Sequence, residues 1–268
     1  MAFDDDTRLR DLGDGAWEGE IVEHWWTPRG PLGGYVMAIV LRAMALAVAD
    51  DARQARSLSV HFLRPPAAGP VIVRATVERA GRSLSSTSAR LEQDGKLLAL
   101  ALAAFSTPWE SPLLEDAPMP EVAPPDPEGP SAREIPGAQA PPFTGRLIMQ
   151  GRFGPKPFSR AEHAEVGGWL GLREERPLDA LAVALLADAW FPAPWPRLSA
   201  LAPAPTIDMT VHFRAPLPLP ASSSPLLGRF TSRVTRDGFF DEDGELWAPD
   251  GTLVAQSRQL GLLIGAEA

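Results

Sequence analysis

The chain has 268 residues, enough for one large domain or two of ordinary size. Its hydrophobic share of 45% is normal for a globular protein, and the lack of cysteine excludes disulfides, a thiolate nucleophile and Cys-ligated zinc. The net charge of -9 argues against binding nucleic acid through its phosphates. Because the N-terminus has no apolar signal segment and no apolar stretch is long enough to span a bilayer, we expect a cytoplasmic protein.

The first predicted element is a buried helix. After Gly33 and Gly34, apolar residues continue for almost four turns and stop before Asp50. A helix that is apolar nearly all round is typical of a protein interior. Predicted strands follow at residues 58–66 and 71–80, and a hairpin at 94–95 leads into a last apolar strand.

A proline-rich segment divides the chain. Residues 108–142 contain eleven prolines among acidic and small residues, which disfavours helix and central strand. We interpret the segment as a linker that lies on the surface and buries little. The predicted organisation is an N-terminal unit at residues 1–107, the linker at 108–142, and a C-terminal unit at 143–268.

The second unit repeats the order of the first. A helix is predicted from about Pro177 to Asp188, with Pro177 at its first position and Asp179 near its positive end. A strictly alternating segment at 206–216 follows, then a strand at 226–236, a hairpin near 237–238, and a last apolar strand after 250–251.

Two landmarks recur in the same order in both units. The tripeptide Val-His-Phe occurs at 60–62 and at 211–213, an offset of 151 residues. The dipeptide Asp-Gly occurs at 94–95 and 250–251, an offset of 156 residues, each time before the final strand. The pattern indicates a duplication. We therefore predict an α+β fold of two units, each a sheet wrapped around a helix, joined into one continuous antiparallel sheet.

Several kinds of site can be dismissed. The chain has no G-x-S-x-G elbow, no G-x-G-x-x-G motif and no P-loop. No two of its four histidines have metal-ligand spacing, so we expect no metal site, and no motif indicates a cofactor. His61 and His212 occupy matching strand positions, and we interpret both as structural.

Three polar residues of the second unit are the candidate catalytic group. Asp188 shares the apolar stripe of its predicted helix. Burying a carboxylate there costs free energy unless the group is hydrogen-bonded or used in catalysis. An aspartate that reaches solvent at the helix end fits the pattern equally well. Thr206 begins the alternating strand, and alone it would be an ordinary strand threonine. Gln259 is unusual in the last strand, since the matching residue of the first unit is Ala103. In a curled sheet the three could converge on one pocket.

The chain resembles the acyl-CoA thioesterase II family of double hotdog proteins. The resemblance rests on GPLGGYVMAIVLRA, VHFLRP, LLADAW, TIDMTVHFRAP and DGTLVAQSRQLG. The family's catalytic aspartate, threonine and glutamine map to Asp188, Thr206 and Gln259. This chain departs at Tyr35, where many members have glutamine, and at residues 209–210, where others have histidine and serine. The departures bear on substrate preference more than on reaction type.

The resemblance implies hydrolysis of acyl-CoA to a free acid and coenzyme A. Asp188 would act as general base on a water that Thr206 and Gln259 hold, or would attack the carbonyl directly and form an anhydride. Gly33 and Gly34, at the helix start, are candidate donors to the oxyanion, and close packing explains them equally well. Since the polar group occurs once, we expect one site per chain.

Two alternatives stay open. One is a non-catalytic acyl-CoA or acyl-binding protein on the same fold. The other is a hotdog hydratase, which ranks lower because the second helix has no histidine. A homodimer is compatible with these features.

Overall fold

Strands dominate the computed structural model, which describes residues 2–129 and 140–266. The strands are β1 (Arg10–Gly13), β2 (Ala16–Ile21), β3 (Trp26–Thr27), β4 (Gly30–Pro31), β5 (Gln54–Phe62), β6 (Gly69–Ala80), β7 (Leu84–Gln93), β8 (Lys96–Ser106), β9 (Leu147–Phe153), β10 (Ala164–Leu172), β11 (Thr206–Phe213), β12 (Leu226–Ser232), β13 (Thr235–Arg236), β14 (Phe239–Trp247) and β15 (Leu253–Leu262). The α-helices are α1 (Phe3–Asp6), α2 (Gly33–Val48) and α3 (Ala180–Leu186).

Within the described residues, thirteen strands form one continuous sheet. Its order is β1-β2-β6-β7-β8-β5 followed by β11-β15-β14-β12-β10-β9, with β13 beside β14. The two halves of the chain therefore lie side by side in mirrored order, and every strand pair between them and within them is antiparallel. The predicted α+β fold, in which two units share one continuous antiparallel sheet, is confirmed.

The joint between the halves lies at the pairing of β5 with β11. There Ser59 is directly opposite Thr210, and their hydroxyl oxygens are 2.8 Å apart. The two residues are 151 positions apart, the offset of the Val-His-Phe repeat, so they mark the pseudo-twofold axis. Val60 pairs with Ala101 and Val211 pairs with Ser257, which reproduces the second offset of 156.

Helix α2 is the central helix of the first half. Its residues 34–41 are all buried, because the sheet covers one side and α3 covers the other. The predicted buried helix is therefore confirmed, and it includes both glycines. No helix in the described ranges is both long and apolar enough to cross a membrane.

Helix α3 is shorter than predicted. It spans Ala180–Leu186, and the prediction of Pro177 as its first residue was wrong. Asp179 is the N-cap, since its carboxylate accepts a hydrogen bond of 2.9 Å from the N–H of Ala182. The preceding Leu178 exchanges two backbone hydrogen bonds of 2.9 Å with Leu219, which keeps that segment extended. The last turn ends before Asp188, which lies in the following turn.

The proline-rich segment is more firmly packed than predicted. Residues 107–129 contain no helix or strand, yet Met119 and Val122 pack against a buried cluster that includes Trp169 and Trp247. The indole N–H of each tryptophan donates to a carbonyl of the segment, at 2.8 Å and 3.1 Å. Prolines remove N–H donors but keep carbonyl acceptors, which suits this role. Residues 130–139 of the linker predicted at 108–142 lie outside the described residues. Near its end, Pro142 opens a 3₁₀ turn.

Four outer strands were absent from the sequence-based interpretation, namely β1, β2, β9 and β10. β10 contains paired glycines that resemble loop residues in sequence. In the sheet, a Cβ at Gly168 would lie 2.0 Å from the carbonyl oxygen of Gln150 in β9. Close approach of the neighbouring strand, rather than a turn, explains this glycine.

Candidate active site

A cavity of about 790 Å³ lies between the two halves of the chain. The first half supplies the loop from Thr27 to the start of α2 and the residues just after β5. The second half supplies the turn after α3, the start of β11 and part of β15. Most of the surface is apolar, and its aromatic members are Phe62, Phe143, Trp190, Phe191, Trp195 and Phe240.

Asp188 is the acidic residue of this cavity. It lies two residues beyond the end of α3, and its N–H donates to the carbonyl of Leu185 at 3.2 Å. Its Oδ2 accepts a hydrogen bond of 2.7 Å from the backbone N–H of Gly34 at the start of α2. Burial raises the pKa of Asp188 to about 7, and the Gly34 hydrogen bond opposes that rise. The carboxyl group is thus suited to exchange a proton near neutral pH.

Both candidate glycines are packed against the second half. A Cβ at Gly34 would lie 2.5 Å from the carbonyl oxygen of Leu185, so glycine is required where α2 meets α3. A Cβ at Gly33 would lie 2.8 Å from Oδ2 of Asp188 and 3.3 Å from the ring of Phe62. The close contact that excludes a side chain at Gly34 also brings its N–H to Asp188.

Thr206 and Gln259 meet on adjacent strands that face the same cavity. The Thr206 hydroxyl donates a hydrogen bond of 2.7 Å to Oε1 of Gln259. A register shift between Thr206 and Asp208 places Thr206 opposite Gly261, while Met209 pairs with Gln259. An irregularity of this kind re-aims a side chain without ending the strand pairing. The cavity therefore contains all three predicted polar residues.

A fourth polar residue, Glu242, was missed by sequence reasoning. It lies on β14 directly opposite Gln259, is 6% exposed, and accepts 2.6 Å from Nε2 of Gln259. Its other oxygen accepts 2.5 Å from the N–H of Ala193. Its pKa is raised to about 7, mainly by burial; the hydrogen bonds from Ala193 and Gln259 oppose the rise, and the charge of Asp188 adds to it. Burial alternates along β14 and places Glu242 on the inward face with Phe240, but the residue types do not alternate. Residues 241–243 are all acidic, so no sequence pattern separates Glu242 from its less buried neighbours.

The donors of these hydrogen bonds all point towards Glu242, either directly or through Gln259. The donors are the Ala193 N–H and the Gln259 amide, both towards Glu242, and the Thr206 hydroxyl towards Gln259. Since the Thr206 hydrogen is used on Gln259, its oxygen has only lone pairs to offer to a molecule in the cavity. Thr206 therefore presents an acceptor to the cavity, as the Asp188 carboxylate does.

The two predicted structural histidines lie away from this site. His61 and His212 are both exposed, on the strands that join the halves. Besides Asp188, the charged residues among the described lining of the cavity are Arg29 and Arg64, both exposed.

Comparison with known proteins identifies the family of this chain. A sequence model described as the acyl-CoA thioesterase C-terminal domain matches residues 119–263, and one described as the N-terminal domain matches residues 22–106. The chain belongs to the acyl-CoA thioesterase family.

Three relatives illustrate the range of this thioesterase family. A crystal structure of a conserved protein of unknown function with a hot dog fold, from Alicyclobacillus acidocaldarius, is 28% identical, covers 99% of this chain and 98% of its own, and has a TM-score of 0.85. The acyl-CoA thioesterase II TesB2 of Mycobacterium marinum shares the fold, at 21% identity, with a TM-score of 0.75 over 98% of this chain and 97% of its own. The human protein named Acyl-coenzyme A thioesterase 8 is 33% identical over 38% of this chain, and the match spans only 33% of its own length.

The first half of this thioesterase-family chain lacks the polar group. By strand register, the residue equivalent to Thr206 is Ala55, because Ala55 pairs with Phe105 as Thr206 pairs with Gly261. By the same register Gln259 corresponds to Ala103, as the sequence comparison predicted. The first half therefore has alanine at the positions equivalent to Thr206 and Gln259.

Proposed function

We propose that the protein hydrolyses acyl-CoA to a free acid and coenzyme A in the cavity that Asp188 lines. The observation that carries the proposal is the meeting of Asp188, Thr206 and Gln259 in one largely apolar cavity. A thioester is an activated acyl group, so its hydrolysis needs a placed water, a base and a stabilised oxyanion.

Water is the nucleophile in the proposed reaction. One of its hydrogens bonds to the Thr206 oxygen and the other to the Asp188 carboxylate, which leaves an oxygen lone pair directed at the thioester carbonyl. As the water oxygen attacks, Asp188 takes a proton. The C–S bond then breaks, the acid forms, and the departing thiolate of coenzyme A receives the proton from Asp188.

Gly33 and Gly34 have different roles in the proposed reaction. The Gly34 N–H holds Oδ2 of Asp188 at 2.7 Å, which orients the base. Gly33 lines the cavity at the first residue of α2, where backbone N–H groups have no partner within the helix. We therefore assign the oxyanion to the Gly33 N–H.

The remaining lining supports an acyl-CoA substrate. Arg29 and Arg64 provide positive charge in a chain whose net charge is -9, and they suit the phosphates of coenzyme A. The aromatic walls suit an apolar acyl group, at about 0.8 kcal/mol for each buried CH₂. Affinity should rise with chain length until the cavity is full.

The test is release of free thiol from acyl-CoA esters of increasing chain length. We expect turnover in the wild type and its loss in a Thr206→Ala, Gln259→Ala double variant. The matched control is Gln256→Ala, a change on the same strand whose side chain bonds to Arg214 outside the cavity. Binding of acyl-CoA without thiol release at any chain length would refute hydrolysis and favour the non-catalytic binding protein.

A further inference from the structure

Glu242 makes a pair of hydrogen bonds that limits how Gln259 can be oriented. Its two oxygens accept from the Ala193 N–H at 2.5 Å and from Nε2 of Gln259 at 2.6 Å. Above about pH 7 the Glu242 carboxylate is ionised and has no hydrogen to donate, so the amide of Gln259 must turn its nitrogen towards Glu242. Its oxygen then faces Thr206, at 2.7 Å.

The direction of these hydrogen bonds decides whether the Thr206 hydroxyl donates to, or accepts from, a molecule in the cavity. With an oxygen facing it, the Thr206 hydroxyl must donate, and its own oxygen becomes an acceptor towards the cavity. If the amide were reversed, its NH₂ group would face Thr206, and the hydroxyl hydrogen would point at the water instead. A water that accepts from Thr206 has one lone pair less for attack, so the reversed arrangement opposes the proposed chemistry.

We propose that Glu242 is the positioning residue that sets the direction of the Gln259–Thr206 hydrogen bonds and so makes Thr206 an acceptor for the nucleophilic water. The inference rests on the proposed hydrolysis. Glu242 is buried behind Gln259, and neither it nor Ala193 lines the cavity, so it acts through Gln259 rather than on the substrate.

The same two strands supply a matched control. Glu245 and Gln256 are also a directly opposed pair on β14 and β15, and the amide nitrogen of Gln256 lies 3.4 Å from the Glu245 carboxylate. Neither residue lines the cavity of Asp188. Glu245→Gln therefore makes the same chemical change, on the same strand, away from the site.

The experiment compares four proteins with the wild type: Glu242→Gln, Gln259→Glu, the double swap of both, and Glu245→Gln. In Glu242→Gln the new amide must use its oxygen to accept from the Ala193 N–H, so it offers its NH₂ group to Gln259. The Gln259 amide then turns over, and the hydrogen bond between Gln259 and Thr206 changes direction. We expect kcat to fall about 10- to 100-fold, with KM within about threefold. In the double swap, a carboxylate at position 259 again accepts from Thr206, and kcat should recover at least about tenfold over Glu242→Gln.

Each outcome has a defined meaning. Glu245→Gln should retain wild-type kcat, and the acid limb of the pH profile should persist in Glu242→Gln, because Asp188 is still the base. Wild-type kcat in Glu242→Gln, a double swap no better than either single variant, or loss of the acid limb would overturn the positioning role. Should Glu242→Gln fail to fold, the comparison of the double swap with Gln259→Glu decides the question. An inactive wild type would refute the proposed function itself, and the inference with it.

Discussion

Replacing Asp188 with asparagine should remove catalysis and, at alkaline pH, increase stability. Asparagine keeps the shape of the side chain, and its oxygen can still accept from the Gly34 N–H, which now binds Oδ2 at 2.7 Å. It cannot take a proton from water. If Asp188 is the general base, kcat should fall by about 10² to 10⁴.

The gain in stability follows from the raised pKa. Burial moves the pKa of Asp188 from 3.8 to about 7. A raised pKa means that the folded protein binds this proton more tightly than the unfolded chain does. The stabilisation is fully present below about pH 4 and is lost as pH rises towards 7. The full shift would correspond to about 4 kcal/mol, and because the side chain still faces the cavity we expect about 2 kcal/mol.

The measurement is chemical unfolding of wild type and Asp188→Asn at about pH 5 and pH 8, beside thiol release at pH 8. The variant should gain stability relative to wild type as pH rises. Asp208→Asn, on the face of β11 opposite buried Met209, is the control for thiol release and should retain activity. Activity within a few-fold of wild type would remove Asp188 from the mechanism, and a pH-independent difference in stability would refute the buried-carboxylate argument.

Three further predictions concern the rest of the site. The wild-type kcat/KM should rise with pH through about 7 and then level, because both Asp188 and Glu242 have pKa values raised to about 7; a limb near pH 4 would contradict this. Gly34→Ala should lower the free energy of unfolding by about 1–3 kcal/mol and abolish turnover, because its Cβ would lie 2.5 Å from a carbonyl oxygen. The control is Gly145→Ala, which has open space around it and should not change thermal unfolding. Arg29→Glu and Arg64→Glu should each raise KM for acyl-CoA about three- to tenfold, with no effect on a pantetheine thioester that lacks phosphates; equal effects on both substrates would refute the phosphate contact.

The sequence by itself determined the features that depend on local pattern. The buried α2, the hairpins at Asp-Gly and the duplication all follow from periodicity and spacing, and the offsets of 151 and 156 residues reappear in the strand register. Asp188 and Gln259 could be selected because each interrupts an apolar pattern. Thr206 begins an alternating strand as an ordinary threonine would, and only the resemblance to a family singled it out and named the roles of all three. Their roles in this chain stay predictions until the variants are measured.

Only the tertiary structure decided the features that depend on contacts across the chain. Helix α3 begins at Ala180 because Leu178 pairs with Leu219, a partner that no local pattern reveals. The hydrogen bond from Gly34 to Asp188 joins residues 154 positions apart, and it exists because glycine lets α2 approach α3. Glu242 lies between two other acidic residues in the sequence, so its inward orientation and its pairing with Gln259 appear only in the sheet. Both depend on strand register, which is set by the pairing of whole strands rather than by either segment alone.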